Sequence, residues 1–156
     1  PYSKTPFFVP DNVYIIATMN TADRSLNTLD YAIRRRFAFL ATKPYELDVD
    51  GFDNELFRKV SLLFVKNYDE YVEANYDQSM LLVPADTLSD DFKPEDVWIG
   101  HSYFLMGNED GEDITQDRLL YEIIPLLEEY VRNGVLTEDA NDTIEKLRNR
   151  LTEIWS

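Results

Sequence analysis

The chain has 156 residues, no cysteine, one histidine and a formal net charge of −15. The absence of cysteine excludes a disulfide framework and thiolate metal ligands, and the single histidine argues against a zinc site. No apolar stretch approaches the roughly 20 residues that a membrane-spanning helix needs, and the chain opens without a signal peptide, so we expect a cytoplasmic protein.

A buried strand followed by a polar turn is the first feature along the chain. Residues 13–17, Val-Tyr-Ile-Ile-Ala, form a short apolar run, which predicts a strand buried on both faces. Asn20, Asp23 and Arg24 follow it, at the carboxyl end of the strand, where ligands of open α/β sheets bind. Asn and Asp are also common turn formers, so a purely structural role stays open.

A short helix over residues 29–36 is predicted next, with Thr28 suited to cap it. It ends in three arginines, Arg34, Arg35 and Arg36. These either present guanidinium groups to a ligand or complement the negative end of the helix dipole. A second apolar run, residues 37–41, follows them.

The pattern becomes helical after a connection at residues 43–51. Apolar residues recur at helical spacing from Phe52 to Val72, which predicts one amphipathic helix. The apolar run at residues 80–83 fits either a strand or part of a helix. The acidic loop at residues 107–113 lacks the ligand alternation of an EF-hand and is predicted to be a solvated turn.

Two further helices are predicted in the last third of the chain. Thr115 is suited to cap the first, Pro125 is expected to kink or break it, and Asn133-Gly134 provides its stop. Thr137 is suited to cap the last helix. The sequence therefore predicts a short α/β piece followed by a mostly α-helical unit.

The charge is unevenly distributed between these two parts. Residues 1–44 hold six Lys/Arg and three acids, a balance of +3, so the remaining 112 residues carry −18. The positive part suits a polyphosphate, whereas the acidic part would repel a nucleic-acid backbone. Alternatively, the acidic composition only keeps the domain soluble.

Several segments identify a family resemblance. Residues 18–25, Thr-Met-Asn-Thr-Ala-Asp-Arg-Ser, resemble the signature of McrB-type AAA+ NTPases, the motor subunits of methylation-dependent restriction systems. Leu-Asp-Tyr-Ala at 29–32 with Arg-Arg-Phe at 35–37 resembles the arginine-finger segment of AAA+ proteins. Ile-Gly-His-Ser-Tyr-Phe at 99–104 and Tyr-Glu-Ile-Ile-Pro-Leu-Leu at 121–127 also resemble McrB segments. The similarity spans roughly residues 9–127.

The resemblance implies the fold class and its division. By resemblance, the chain is an α/β fragment followed by a mostly α-helical unit, that is, the end of an AAA+ P-loop NTPase large domain plus the small lid domain. Residues 1–45 would be the C-terminal part of the α/β subdomain, with the sensor strand, the arginine-finger helix and the last strand. Residues 46–156 would be the helical lid.

The resemblance also implies catalytic roles for four residues. Asn20 matches the sensor that orients the attacking water, and its amide both donates and accepts hydrogen bonds. Asp23 would hold Asn20 or Arg24 in place. Arg35 and Arg36 match arginine fingers that reach a neighbouring subunit's nucleotide.

Three further residues are weaker candidates for nucleotide binding, namely Arg24, Arg34 and His101. The alternative, purely structural role of the arginines is pairing with acidic lid residues. For His101 it is a hydrogen-bonded structural role, which the apolar neighbours favour.

The chain lacks the parts that bind the phosphates. None of its five glycines is followed by Lys, so it has no Gly-x-x-x-x-Gly-Lys loop, and no strand ends in Asp-Glu. Mg²⁺ with GTP or ATP is therefore expected to bind upstream residues of an intact protein, and no metal site is expected here.

By resemblance, the intact protein is a GTPase or ATPase that powers a restriction endonuclease complex. The implied partners are neighbouring subunits in a ring, a hexamer by analogy, an McrC-like nuclease subunit, and methylated DNA bound through another domain, with no membrane. Two alternatives remain: another AAA+ remodelling ATPase, MoxR-like or dynein-related, and a non-catalytic interaction module. The upstream sequence would discriminate between the first two.

Overall fold

The computed structural model describes residues 10–18, 35–40, 42–107 and 113–154, and their regular structure is helical. No strand is present in these ranges, where extended segments meet only at isolated antiparallel bridges. Nor does any helix within them have the length and apolar character to cross a membrane. The helices are α1 (Asn54–Ser61), α2 (Tyr68–Glu73), α3 (Pro94–Val97), a 3₁₀ turn (His101–Phe104), α4 (Thr115–Asp117), a π segment (Arg118–Ile123), α5 (Ile124–Arg132), a 3₁₀ turn (Glu138–Ala140) and α6 (Asn141–Ile154).

An aromatic core lies beneath α1 and α2. Phe57 stacks on Trp98 with ring centroids 6.1 Å apart, and Phe104 meets Phe57 edge-on at 5.0 Å. The buried Trp98 Nε1–H donates to the buried Ser61 Oγ at 3.0 Å, so both polar groups are satisfied inside the core. We refer to residues 52–107 and 113–150, which share this core, as the helical body.

The prediction of one continuous helix from Phe52 to Val72 is wrong, because the middle of this segment is not helical. The structure has α1 and α2 with an interruption at residues 62–67. α1 begins after Asp53, whose carboxylate accepts the Leu56 N–H at 2.9 Å as an N-cap. Leu63, Phe64 and Val65 remain buried within the interruption, whereas Leu62 is exposed. The same hydrophobic spacing is therefore satisfied without a continuous helix.

Hydrogen bonds to residues 81–85 account for the interruption. The Lys66 amide donates to the Val83 carbonyl at 2.8 Å. The Asn67 side chain accepts from the Val83 amide at 2.7 Å and donates to the Leu81 carbonyl at 3.2 Å. These bonds replace those of a helix. Residues 80–83 form neither the strand nor the helix that the sequence allowed.

Pro125 changes the type of helix instead of ending it. α4 runs into the π segment and then into α5, so the expected break at Pro125 does not occur. Proline has no N–H, and its ring clashes with the carbonyl four residues earlier in an α-helix. Just before it, the Ile124 N–H bonds the Leu119 carbonyl five residues back, the spacing of a π-helix. The wider turn makes room for the ring while the helix continues.

The two predicted threonine caps are corrected in detail. The N-cap of α4 is Ile114, and Asp113 stands just before it: Asp113 Oδ1 accepts from the Thr115 amide at 2.8 Å and from Thr115 Oγ1 at 2.5 Å. The Thr115 side chain and then its backbone amide hold the pKa of Asp113 below its usual range. Thr137 precedes the 3₁₀ turn Glu138–Ala140, but its hydroxyl makes no capping bond. Neither threonine side chain therefore caps its helix in the predicted way.

The predicted stop at Asn133-Gly134 is confirmed. α5 ends at Arg132, and Gly134 has a φ of +70°, the left-handed conformation that glycine adopts without strain. The amide of Val135 donates to the Tyr130 carbonyl at 2.9 Å, and that of Gly134 to the Val131 carbonyl at 3.1 Å. This pair of bonds is the Schellman motif.

The predicted strand at residues 13–17 and the apolar run at 37–41 are not strands where the structure describes them. Tyr14 is 90 % exposed, Ile16 95 % and Leu40 89 %. A strand is stabilised by pairing and by covered faces, and the described part of the chain places no strand beside these residues. The prediction of a buried strand is therefore not confirmed in the described residues.

Candidate functional site

Arg35 and Arg36 are the predicted catalytic residues that the structure describes. They lie in a turn, not in the predicted helix end, and both are exposed. Within the described ranges, neither makes an ion pair with a carboxylate. The alternative role, pairing with acidic lid residues, is not seen among those residues. Their guanidinium groups are therefore accessible to a ligand or to another chain.

The other predicted site residues near the first apolar run cannot be placed. Asn20, Asp23, Arg24 and Arg34 lie outside the described residues.

Residues 42–50 form the connection that follows the arginines, and this connection packs on the helical body. Lys43 is only 7 % exposed. Its Nζ donates to the Gln78 carbonyl at 2.8 Å and the Met80 carbonyl at 2.5 Å, and its amide donates to Gln78 Oε1 at 2.6 Å. Burying an ammonium is costly unless it is hydrogen-bonded. These bonds thus anchor the connection to residues 78–80.

His101 lies beside the same connection. Its ring is 4.8 Å from that of Tyr45, which in turn is 6.0 Å from the ring of Tyr76. Burial lowers the pKa of His101, so the imidazole is neutral near pH 7. Its buried Nδ1 has no hydrogen-bond partner among the described residues. The structure brings His101 to the connection that follows the arginines, which the sequence did not indicate.

Glu46 provides a second link between the connection and α2. Its Oε1 accepts from the Tyr68 hydroxyl at 2.6 Å. Burial, together with this hydrogen bond, raises the pKa of Tyr68. Burial and Glu46 likewise raise the pKa of Tyr76 to about 12. Both phenols therefore remain protonated donors throughout the physiological range.

Sequence reasoning missed Lys43 and Glu46. Lys43 was counted only as one positive charge, because its partners are two carbonyls and an amide 35 and 37 residues later. No local pattern encodes such a contact. The one available signal was the placement of both residues in the segment that joins two units of different period.

An open groove lies on another side of the helical body. A cavity of about 450 Å³ is lined by residues that include Asp53, Gly107, Asp113 and Thr115. Arg150 borders the adjoining cavity and pairs with Asp53 at 2.6 Å. Asp53 caps α1 and pairs with Arg150. The charged side chains of this groove therefore serve contacts that stabilise the fold.

The exposed guanidinium groups of Arg35 and Arg36 suit an anion such as a phosphate. Nowhere in the ranges that the structure describes do three His, Cys, Asp or Glu side chains come together to hold a metal ion. Exposed guanidinium groups, in contrast, match the geometry of phosphate oxygens. The described site can supply positive charge to a phosphate.

Comparison with known proteins places these features in a family. The family described as "McrB, alpha-helical lid domain" matches residues 86–137. That stretch includes α3, the π segment, α5 and the Schellman turn. No solved structure matches the chain.

A relative extends the match beyond the lid. The chain is 43 % identical over 133 residues to the type IV methyl-directed restriction enzyme EcoKMcrB subunit of Escherichia coli strain K12. The alignment covers 80 % of this chain and 26 % of the relative, so the chain spans about a quarter of the relative's length. The McrB lid in residues 86–137 and this identity together show that the chain belongs to the McrB type.

Proposed function

We propose that the chain is part of the AAA+ NTPase module of an McrB-like motor protein that powers a restriction endonuclease complex. The observation that carries the proposal is the 43 % identity over 133 residues with a methyl-directed restriction subunit. The lid match supports it independently of the segments near the arginines.

The proposed module has two parts. Residues 1–45 form the C-terminal part of the α/β subdomain, and residues 46–156 form the lid. The exposed apolar residues at 13–16 and 37–40 favour this division, since surfaces of this kind are covered when they join a sheet. The division also agrees with the change from positive to negative charge near residue 44.

The proposed catalytic residues are Asn20, Asp23, Arg35 and Arg36. Asn20 orients the attacking water, and Asp23 holds Asn20 or Arg24 in place. The two arginines enter the nucleotide site of a neighbouring subunit. The exposure of Arg35 and Arg36, and their lack of ion pairs among the described residues, support this role. Arg24, Arg34 and His101 are assigned to nucleotide binding around them.

The proposed cofactor is Mg²⁺ with GTP or ATP, held by residues of the intact protein outside this chain. The proposed assembly is a ring, hexameric by analogy, in the cytoplasm with an McrC-like nuclease subunit. Methylated DNA is bound by another domain, because the acidic helical body would repel a phosphate backbone.

A mixed-ring experiment on the intact protein tests the proposal. A finger acts on the neighbour's nucleotide, so Arg36→Ala should abolish hydrolysis in a uniform ring, by about 10³–10⁵ in rate. Mixing it with subunits defective in the phosphate-binding loop should recover activity, because some interfaces then pair an intact loop with an intact arginine. Arg36→Lys should not rescue, since an ammonium lacks the planar fork.

The control is Arg58→Ala, which removes another exposed arginine. Arg58 pairs with Asp69 at 2.8 Å on the helical body, and exposed pairs contribute only about 0–1 kcal/mol. This variant should hydrolyse nucleotide normally. If Arg36→Ala and the loop mutant both assemble, as seen by light scattering, but no mixing ratio recovers turnover, the assignment of Arg36 is wrong.

A further inference from the structure

The segment that receives Lys43 has an unusual backbone. Asn75 and Tyr76 both have positive φ, +51° and +58°. This left-handed conformation is uncommon outside glycine and especially for a bulky residue such as tyrosine. Such backbone strain persists only where the surroundings hold it in place.

Contacts from two sides hold this strained turn. On the side of α2, the Tyr76 amide donates to the Tyr71 carbonyl at 2.9 Å, and Gln78 Nε2 donates to the Tyr71 hydroxyl at 2.7 Å. On the side of the connection, Lys43 binds the Gln78 and Met80 carbonyls, and the Tyr45 ring lies against that of Tyr76. The turn therefore joins α2 to the segment that follows the arginines.

The choice of lysine at this place is itself informative. Lys43 is buried, yet no described carboxylate lies within ion-pair distance of it. An apolar side chain would fill the same space without the cost of desolvating an ammonium. The ammonium donates hydrogen bonds to two carbonyls, and these directional bonds fix the position of the connection.

We propose that Lys43 is a positioning residue that fixes the arginine segment to the helical body through the turn at residues 75–80. Lys43 lies seven residues after Arg36, so an anchored Lys43 confines Arg36 to a radius of at most about 25 Å. The inference rests on the proposed role of Arg35 and Arg36.

The test compares Lys43→Met with Lys66→Met in the intact protein. Both remove an ammonium, but Lys66 is exposed and pairs with Asp86. Lys43→Met should lower kcat by about 10- to 100-fold, because a misplaced catalytic group costs about that much. Nucleotide affinity should stay within about two-fold, since the phosphate-binding residues are untouched. Lys66→Met should change neither quantity, and Lys43→Arg should recover part of kcat.

Amide hydrogen exchange gives a readout besides activity. Residues 42–50 and 75–80 should exchange faster in Lys43→Met and not in Lys66→Met. If Lys43→Met does not assemble, Gln78→Ala replaces it. This change removes the acceptor of the Lys43 amide and the donor to the Tyr71 hydroxyl, and it leaves the ammonium bonds to the two carbonyls. It should act in the same direction with a smaller effect.

The outcomes separate this inference from the proposed function. Faster exchange with an unchanged kcat in Lys43→Met overturns the positioning role, since Lys43 would then only stabilise the fold. Full hydrolysis in a parallel Arg36→Ala variant overturns the arginine assignment itself and the inference with it. Loss of kcat in both Arg36→Ala and Lys43→Met, at unchanged affinity, supports both.

Discussion

At the scale of single residues, His101 offers an unusually clean titration because it is the chain's single histidine. Burial lowers its pKa in the folded state, so the unfolded chain binds the proton more readily. Stability therefore falls as the pH drops below about 6.5, the ordinary value in an unfolded chain. We expect the urea midpoint of the chain to decrease between pH 7.5 and 5.5, and this decrease to vanish in His101→Gln.

The His101→Gln variant carries the same carboxylates, so comparing it with the unmodified chain isolates the contribution of His101. Tyr76 does not contribute, because its pKa is raised to about 12. An equal loss of stability in His101→Gln and in the unmodified chain would contradict a partly buried imidazole that is neutral in the folded state.

Individual site residues could be predicted only where their role depends on exposure and local sequence. Arg35 and Arg36 stand in a recognisable cluster, and their exposed positions are compatible with the predicted role. Lys43 could not be found, because its burial and both its carbonyl partners come from residues 78–80. Long-range contacts of this kind leave no periodicity in the sequence.

At the scale of elements, the end of α5 depends on one glycine. Gly134 has a φ of +70°, and a methyl group added to it would meet no atom within 4 Å, so backbone strain is the only cost of adding a side chain. Gly134→Ala should lower the free energy of unfolding by about 1 kcal/mol. Gly134→Asn should lower it less, since asparagine tolerates this conformation. Urea denaturation of the chain measures both changes.

Gly107→Ala is the matched control. A methyl group at Gly107 also meets no atom within 4 Å, and its backbone is outside the left-handed region. The change should stay within about 0.5 kcal/mol. Equal losses for Gly107→Ala and Gly134→Ala would mean that the Schellman turn does not depend on its glycine.

The ends of helices could be predicted where the signal lies within a few residues. The continuity of helices could not always be predicted. Asn133-Gly134 encodes its own turn within a few residues. The interruption after α1 depends instead on Lys66 and Asn67 finding residues 81–83, which no local propensity reveals. Pro125 has two physical solutions, a break or a π turn, and packing of the surrounding helix selects the second.

At the scale of the whole molecule, the chain should not act on nucleotide by itself. It lacks a Gly-x-x-x-x-Gly-Lys loop, and its described residues hold no carboxylate cluster for a metal. Incubation with GTP or ATP and Mg²⁺ should therefore release no measurable phosphate, whereas the intact protein should hydrolyse nucleotide. Calorimetry should detect weak binding at most.

Micromolar affinity of the isolated chain for GTP or ATP would contradict this view, because the primary site would then lie within residues 1–156. The control is the intact protein carrying a defective phosphate-binding loop. It should bind no better than the chain alone.

The interruption between α1 and α2 also affects how the molecule is synthesised. A continuous helix over residues 52–72 would complete its backbone bonds locally, within about a microsecond. Instead, the Leu63 carbonyl and the Asn67 side-chain oxygen accept hydrogen bonds from groups that lie 24 and 16 residues later in the chain. At roughly 5–20 residues per second on the ribosome, these two acceptors stay bonded to water for about one to five seconds before their donors, Thr87 Oγ1 and the Val83 amide, emerge.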